Sequence, residues 1–133
     1  MNKNSCPFCS IDAARVLEST HYWQVIYDQF PLSDSHALII PKRHVSSIFD
    51  LSRDEAAEMH EILSTARFTI LKSAKTSDCL VEPDGFNIGV NDGAAAGQTI
   101  EHLHIHLIPR YFGDSTDPRG GVRWIFPDKA KYW

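Results

Sequence analysis

The residues His102-Leu103-His104-Ile105-His106-Leu107 alternate, polar then apolar, without a break. That is the period of a half-buried β-strand, in which successive side chains point to opposite faces. Leu103, Ile105 and Leu107 are expected to face the core. His102, His104 and His106 then line the other face, with neighbours about 6–7 Å apart. A solvent-facing strand more typically carries Thr, Lys or Glu, so three imidazoles in one rigid row point to chemistry. Metal binding suits such a row, because neutral imidazole is a common ligand. So does nucleophilic and acid–base work, in which one ring attacks an electrophile and its neighbours handle protons. The stretch just before the row favours the second. Residues 91–98, Asn-Asp-Gly-Ala-Ala-Ala-Gly-Gln, form a small-residue loop whose backbone N–H groups can approach an anion closely.

The rest of the chain supplies the other elements. Arg15 to Ser19, Tyr22 to Tyr27 and His36 to Ile40 read as strands, the third stopped by Pro41. Ser52 and Glu55 form a capping box ahead of a helix over about 53 to 75, with Ala56, Met59, Leu63, Ala66 and Ile70 as its core stripe. Gly85 to Asn91 is a fourth strand, with Phe86, Ile88 and Val90 on one face, and the histidine row is the fifth. From about residue 111 the tail is too rich in turn residues for a long element, and its Arg119 and Arg123 could read a phosphate or simply be solvated. Strands, one long helix and two more strands predict an α+β fold with an antiparallel sheet.

At 133 residues the chain is expected to form one domain, residues 1–133. Its net charge of −4 argues against nucleic-acid binding driven by bulk charge. No window approaches the roughly 20 apolar residues of a membrane span. The start, Met1 to Ser5, leads into no apolar segment, so a cytoplasmic location is expected. Cys79 stands alone. Cys6-Pro7-Phe8-Cys9 is a CxxC pair, which reads as half of a zinc site or as a redox pair. Asp28, after the second strand, reads by itself as a loop cap, and His36 and His44 by themselves as a structural and a surface histidine.

Gly97-Gln98-Thr99 followed by His102 to Arg110 resembles the signature of the histidine-triad (HIT) superfamily, nucleotide hydrolases and transferases with the motif His-φ-His-φ-His-φ-φ, φ being apolar. The resemblance implies a five-stranded antiparallel sheet with one main helix and short helical turns, and a homodimer. It implies cleavage at the α-phosphate of a nucleoside polyphosphate or phosphoramidate through a covalent nucleotidyl intermediate on His104, with a preference for purines and no organic cofactor. His106 and Thr99 are then the candidates to protonate the leaving group, while Gln98 and the loop amides, Gly97 among them, hold phosphoryl oxygens. Asp28 falls where relatives grip the ribose, His36 where one histidine orients another, and Asn91 near the α-phosphate. The resemblance to zinc-binding bacterial members implies a structural zinc on Cys6, Cys9, His44 and His102, which takes His102 out of the chemistry. Two other functions fit parts of the pattern: a non-catalytic purine-nucleotide sensor, and a metal-handling protein with the triad itself as ligands.

Overall fold

A computed structural model describes residues 3–133; Met1 and Asn2, the first two of the polar N-terminal stretch, lie outside the described residues. Five strands form one antiparallel sheet: β1 (Val16–Ser19), β2 (Trp23–Tyr27), β3 (Ala37–Pro41), β4 (Gly85–Gly89) and β5 (Ile105–Arg110), in the spatial order β1-β2-β3-β5-β4. One long helix, α1 (Arg53–Thr76), joins β3 to β4 and covers one face of the sheet; a single turn, α2 (Pro127–Ala130), lies in the tail. None of the described helices is long and apolar enough to cross a membrane.

The two faces are packed differently, and β3 shows it. All five of its residues are buried. Ala37 and Ile39 join Trp23, Val25, Leu103, Ile105 and Leu107 against Ile62, Ala66 and Ile70 of α1. Leu38 and Ile40 face the other way, where they meet Ile26 and the N-terminal residues Cys6 and Phe8. A strand buried on both sides reads as a continuous apolar run, as Ala-Leu-Ile-Ile does here.

Three expectations need correction. The β5 ladder begins at Ile105, not His102. The amide of Leu103 donates to Val45 O at 2.7 Å, and His102 Nε2 to Pro41 O at 2.8 Å. Residues 102–104 are therefore tied to the segment after β3, whose Pro41 has no N–H to continue a ladder. In α1 the buried stripe is Ile62, Ala66, Ile70 and Ala74; Met59 and Leu63 flank it and Ala56 is exposed. Trp23 Nε1 donates to Glu55 O at 2.9 Å and fixes the rotation of the first turn, so residue 55 points inward in place of residue 56. In β4, Phe86 and Val90 pack on the core as expected, but Ile88 is 49% exposed, because β4 is the edge strand and an open groove separates Ile88 from Leu63 and Arg67 of α1.

The capping box is present as read: Ser52 Oγ accepts from Glu55 N, and Glu55 Oε2 from Ser52 N at 2.7 Å. The same carboxylate takes two bonds from Arg43, at 2.7 and 2.8 Å. That guanidinium holds Glu55 down at about 2. Arg43 precedes His44, so the pair fixes the segment carrying that histidine to the start of α1. Replacing Glu55 with Ala is expected to cost about 1–2 kcal/mol in urea unfolding at pH 7, for a lost cap and a charge-assisted pair that is half open to solvent. Since the folded carboxyl titrates below its ordinary 4.5, the contribution is complete above that value and lost as the pH falls towards 2. The difference between wild type and variant should shrink over that window.

Candidate active site and metal cluster

His104 and His106 stand on the sheet face that α1 leaves free. The N-terminal segment covers one end of that face, and between the two lies a cavity of about 370 Å³. Phe8, Ile26 and Leu38 form its apolar wall; Asp28, Asn91 and Thr99 are polar groups along its sides. The ring of Phe8 lies edge-on to that of His104, with centroids 5.3 Å apart.

Hydrogen-bond partners assign the tautomers. His104 Nδ1 lies 2.8 Å from His102 O. A carbonyl only accepts, so Nδ1 carries the proton and Nε2 is left with the lone pair. A second chain of bonds starts at the backbone. Leu32 N donates to His36 Nδ1 at 3.1 Å, so His36 holds its proton on Nε2. That nitrogen is 3.0 Å from His106 Nδ1 and donates to it, which places the proton of His106 on Nε2. One wall of the cavity thus carries an imidazole with a lone pair on Nε2 beside one with an N–H there.

Electrostatics keep the relay neutral. Burial lowers the titration points of both His36 and His106 below the ordinary 6.5; for His106 the neighbouring His104 and His36 add to this. Asp28 opposes the shift in both. Its Oδ2 lies 3.5 Å from His36 Nε2 and 3.9 Å from His106 Nδ1, while Oδ1 accepts from Phe30 N at 2.9 Å. Asp28 is therefore a loop cap through one oxygen, as the residue alone suggested, and faces the histidines with the other. His36 is buried, with its Nε2 against His106.

The loop before the histidines departs from expectation. Gln98 Oε1 accepts from Gly93 N at 2.7 Å, and its Nε2 donates to Ser46 O and Ile100 O at 2.9 and 3.1 Å. The amides of Ala96, Gly97 and Gln98 bond back into the loop. Gly93 and Gly97 have φ of +89° and +86°, which this tight turn requires of them. Gln98 and Gly97 shape the loop in place of lining the cavity, and Asn91 and Thr99 reach it instead.

Cys6, Cys9, His44 and His102 converge beneath the N-terminal segment, with all four ligand atoms within 4.8 Å of one another. His102 Nδ1 is 3.4 Å from Cys6 Sγ and 3.6 Å from Cys9 Sγ; His44 Nδ1 is 3.1 Å from Cys9 Sγ. A tetrahedral zinc with S and N ligands at about 2.3 and 2.05 Å has S···N edges of about 3.5 Å. Because His102 Nε2–H is held by Pro41 O, Nδ1 offers its lone pair towards the thiols. The four residues fit the ion in number, chemistry and spacing. His102 accordingly belongs to this cluster, not to the cavity. Asp28, His36 and His106 also lie within ligating distance of one another, but the histidine nitrogens that face each other are already joined as donor and acceptor.

The profile of the HIT domain matches residues 10–113. The chain belongs to the HIT family. Among HIT relatives, it is 33% identical over 135 residues to an adenosine 5'-monophosphoramidase of Schizosaccharomyces pombe, covering 96% of this chain and 91% of that protein. It is 37% identical over 112 residues to an adenylylsulfatase of Arabidopsis thaliana, covering 81% of this chain but only about half (53%) of the relative. Among HIT structures, a zinc-bound histidine triad protein from Mycobacterium smegmatis superposes with a TM-score of 0.69 at 33% identity, over 87% of this chain and 82% of that one. Cys6 and Cys9 precede the matched HIT segment, and the tail beyond residue 113 follows it.

The tail arginines neither reach the cavity nor stand free. Arg119 pairs with Asp117 at 2.9 Å and lies 4.3 Å from the centre of the Trp133 ring; Arg123 donates to Ala130 O and Lys129 O. Phe8 was missed in the sequence; its signal was an apolar residue inside the CxxC pair.

Nitrogen-15 imidazole spectra test the relay. His36 and His106 are expected as Nε2–H tautomers at pH 7, with midpoints below 6.5. Since Asp28 raises both, Asp28→Asn should move both midpoints further down. Midpoints that stay in place would remove Asp28 from the relay.

Proposed function

We propose that this HIT protein is a nucleotide hydrolase or nucleotidyl transferase acting at the α-phosphate of a nucleoside polyphosphate or phosphoramidate. The observation that carries the reading is the complementary pair on the cavity wall: a lone pair on His104 Nε2 beside the N–H of His106 Nε2. The names of the phosphoramidase and adenylylsulfatase relatives support a nucleotide substrate. His104 Nε2 attacks the α-phosphorus. A P–N bond forms, the bond to the leaving atom breaks, and that atom keeps the electron pair. Water then attacks the nucleotidyl-His104 and releases the nucleoside monophosphate.

His106 donates its Nε2–H to a phosphoryl oxygen as charge concentrates there. It does not surrender the proton, because with Nδ1 accepting from His36 the loss would leave an imidazolate. Thr99, on the exposed loop, is the route by which the leaving atom takes a proton from solvent; the water step returns one. Asp28 accepts from the ribose hydroxyls, Asn91 faces the α-phosphate, and Phe8, Ile26 and Leu38 enclose the base. Positioning of this kind is the main demand of phosphoryl chemistry. Replacing His104 with Ala should reduce turnover by about 10³-fold or more while nucleotide binding persists. Acid quench of the wild type should trap an acid-labile adduct on His104. Near-normal turnover in the variant would sink the mechanism.

Cys6, Cys9, His44 and His102 would hold a structural zinc, with both thiols deprotonated and each histidine ligating through Nδ1. When bound, the ion supplies a cross-link between the N-terminal segment and the residue two before His104. Protein purified without added metal should contain about one zinc per chain. Cys9→Ser should lower metal content and thermal midpoint together; a metal-free wild type whose melting is indifferent to chelator would refute the site.

A further inference from the structure

The CxxC segment admits two readings, a zinc half-site and a redox pair, and the metal cluster uses only the first. Its two cysteines differ in access. Cys6 is 4% exposed, whereas Cys9 is half-buried and reaches solvent. Cys9 N donates to Cys6 O at 3.2 Å and closes a tight turn. The ends of such a turn lie within about 7 Å of each other, close to the span over which a disulfide forms. Both sulfurs face the same atom, His102 Nδ1, at 3.4 and 3.6 Å, and they lie within 4.8 Å of each other. The third cysteine, Cys79, is exposed and stands outside this cluster.

The turn encloses two residues of the cavity beside His104. Pro7 and Phe8 both line it. The Phe8 ring is packed with Ile26, Leu38 and Ile40, and lies edge-on to His104 and His102 with centroids 5.3 and 5.9 Å away. A tetrahedral zinc holds two sulfurs about 3.8 Å apart, while a disulfide draws them to about 2 Å. The turn cannot keep one shape in both states, and the difference falls on Phe8. The bond from His104 Nδ1 to His102 O lies outside the turn. The nucleophile's tautomer therefore survives the change, and the cavity wall does not.

We propose that Cys6 and Cys9 form a reversible disulfide, with a low-molecular-weight disulfide as the oxidant, and that closing it withdraws Phe8 from the cavity. The proposal rests on the zinc reading of the cluster and gives that cluster a second state. Cys9 Sγ, the reachable sulfur, attacks one sulfur of the oxidant; the oxidant's S–S bond breaks and its first thiolate leaves. Cys6 Sγ then attacks Cys9 Sγ, the mixed disulfide breaks, and the second thiolate leaves. The two cysteines lose two electrons, the oxidant gains them, and each departing thiolate takes a proton from solvent. His44 and His102 are left without sulfur partners, and the metal is released.

The test treats the full chain with glutathione disulfide. Peptide mapping should find Cys6 bonded to Cys9, with zinc passing to a chromophoric chelator in step. The His104 imidazole resonances should move, and AMP affinity should fall by about five- to tenfold, the scale of a displaced aromatic contact. Dithiothreitol with added zinc should reverse every change. Cys79→Ser should respond as wild type does. Cys6→Ser in that background has no thiol to resolve the mixed disulfide and should stop with one glutathione on Cys9. A chain stripped of metal with both thiols reduced should keep its AMP affinity, which separates the disulfide from loss of the ion. Cysteines that resist exchange, a closed disulfide with His104 and AMP binding as before, or an equal loss of affinity in the stripped, reduced chain would overturn the proposal. A chain that holds no zinc yet closes the bond and shifts His104 upholds the pair and refutes the metal reading alone. One that shifts His104 but binds AMP in neither state upholds the pair and refutes the nucleotide reading alone.

Discussion

A five-stranded sheet with one main helix has a face that no helix covers, and the rest of this molecule answers that constraint. The apolar run of β3 exposes Leu38 and Ile40 to the uncovered side. Something must bury them. The N-terminal segment does so at one end, bringing Cys6 and Phe8 over the strands. The tail covers the other end of this face, over Ile108 and Gly89. Neither segment has enough regular structure to hold itself in place, and each is fastened by chemistry of a different kind. The first ends in two thiols facing two imidazoles. The second is knotted internally by Arg119 on Trp133, Arg123 on Tyr132 and the Trp124 Nε1–H on Arg119 O. What lies between the two coverings stays open, and there the histidines stand.

The cluster and the cavity are mechanically joined. His102 offers Nδ1 to the thiols and, through its carbonyl, accepts the Nδ1–H of His104. One residue therefore fixes a ligand orientation with its ring and a nucleophile's tautomer with its backbone. Phe8 repeats the connection on the other side, touching the rings of both His102 and His104.

Much of this was legible in the sequence, because the strongest signals are periodic or local. The alternation at residues 102–107 gave the correct inner and outer faces, and the Ser52–Glu55 box gave the start of α1. The HIT motif led to the four members of the Cys₂His₂ cluster. Illegible features were those decided by a distant partner. No pattern within α1 says that Trp23 will turn residue 55 inward. Gln98 looked like a phosphate ligand until Gly93, Ser46 and Ile100 engaged its whole side chain. The tail arginines looked free because the aromatic rings that receive them lie nine or more positions away. Composition cannot distinguish a solvated cation from one stacked on an indole.

The relay to His106 begins at a main-chain N–H, that of Leu32. Every amino acid except proline provides that donor. The protonation pattern of the histidine pair is thus written into the path of the β2–β3 loop and not into the side chain at position 32. That side chain is 76% exposed and can change freely without disturbing it. Leu32 also lines a cavity beneath the tail, so drift at this position would reshape that cavity while the proton arrangement at His106 stayed the same: side chain and amide of one residue answer to different constraints.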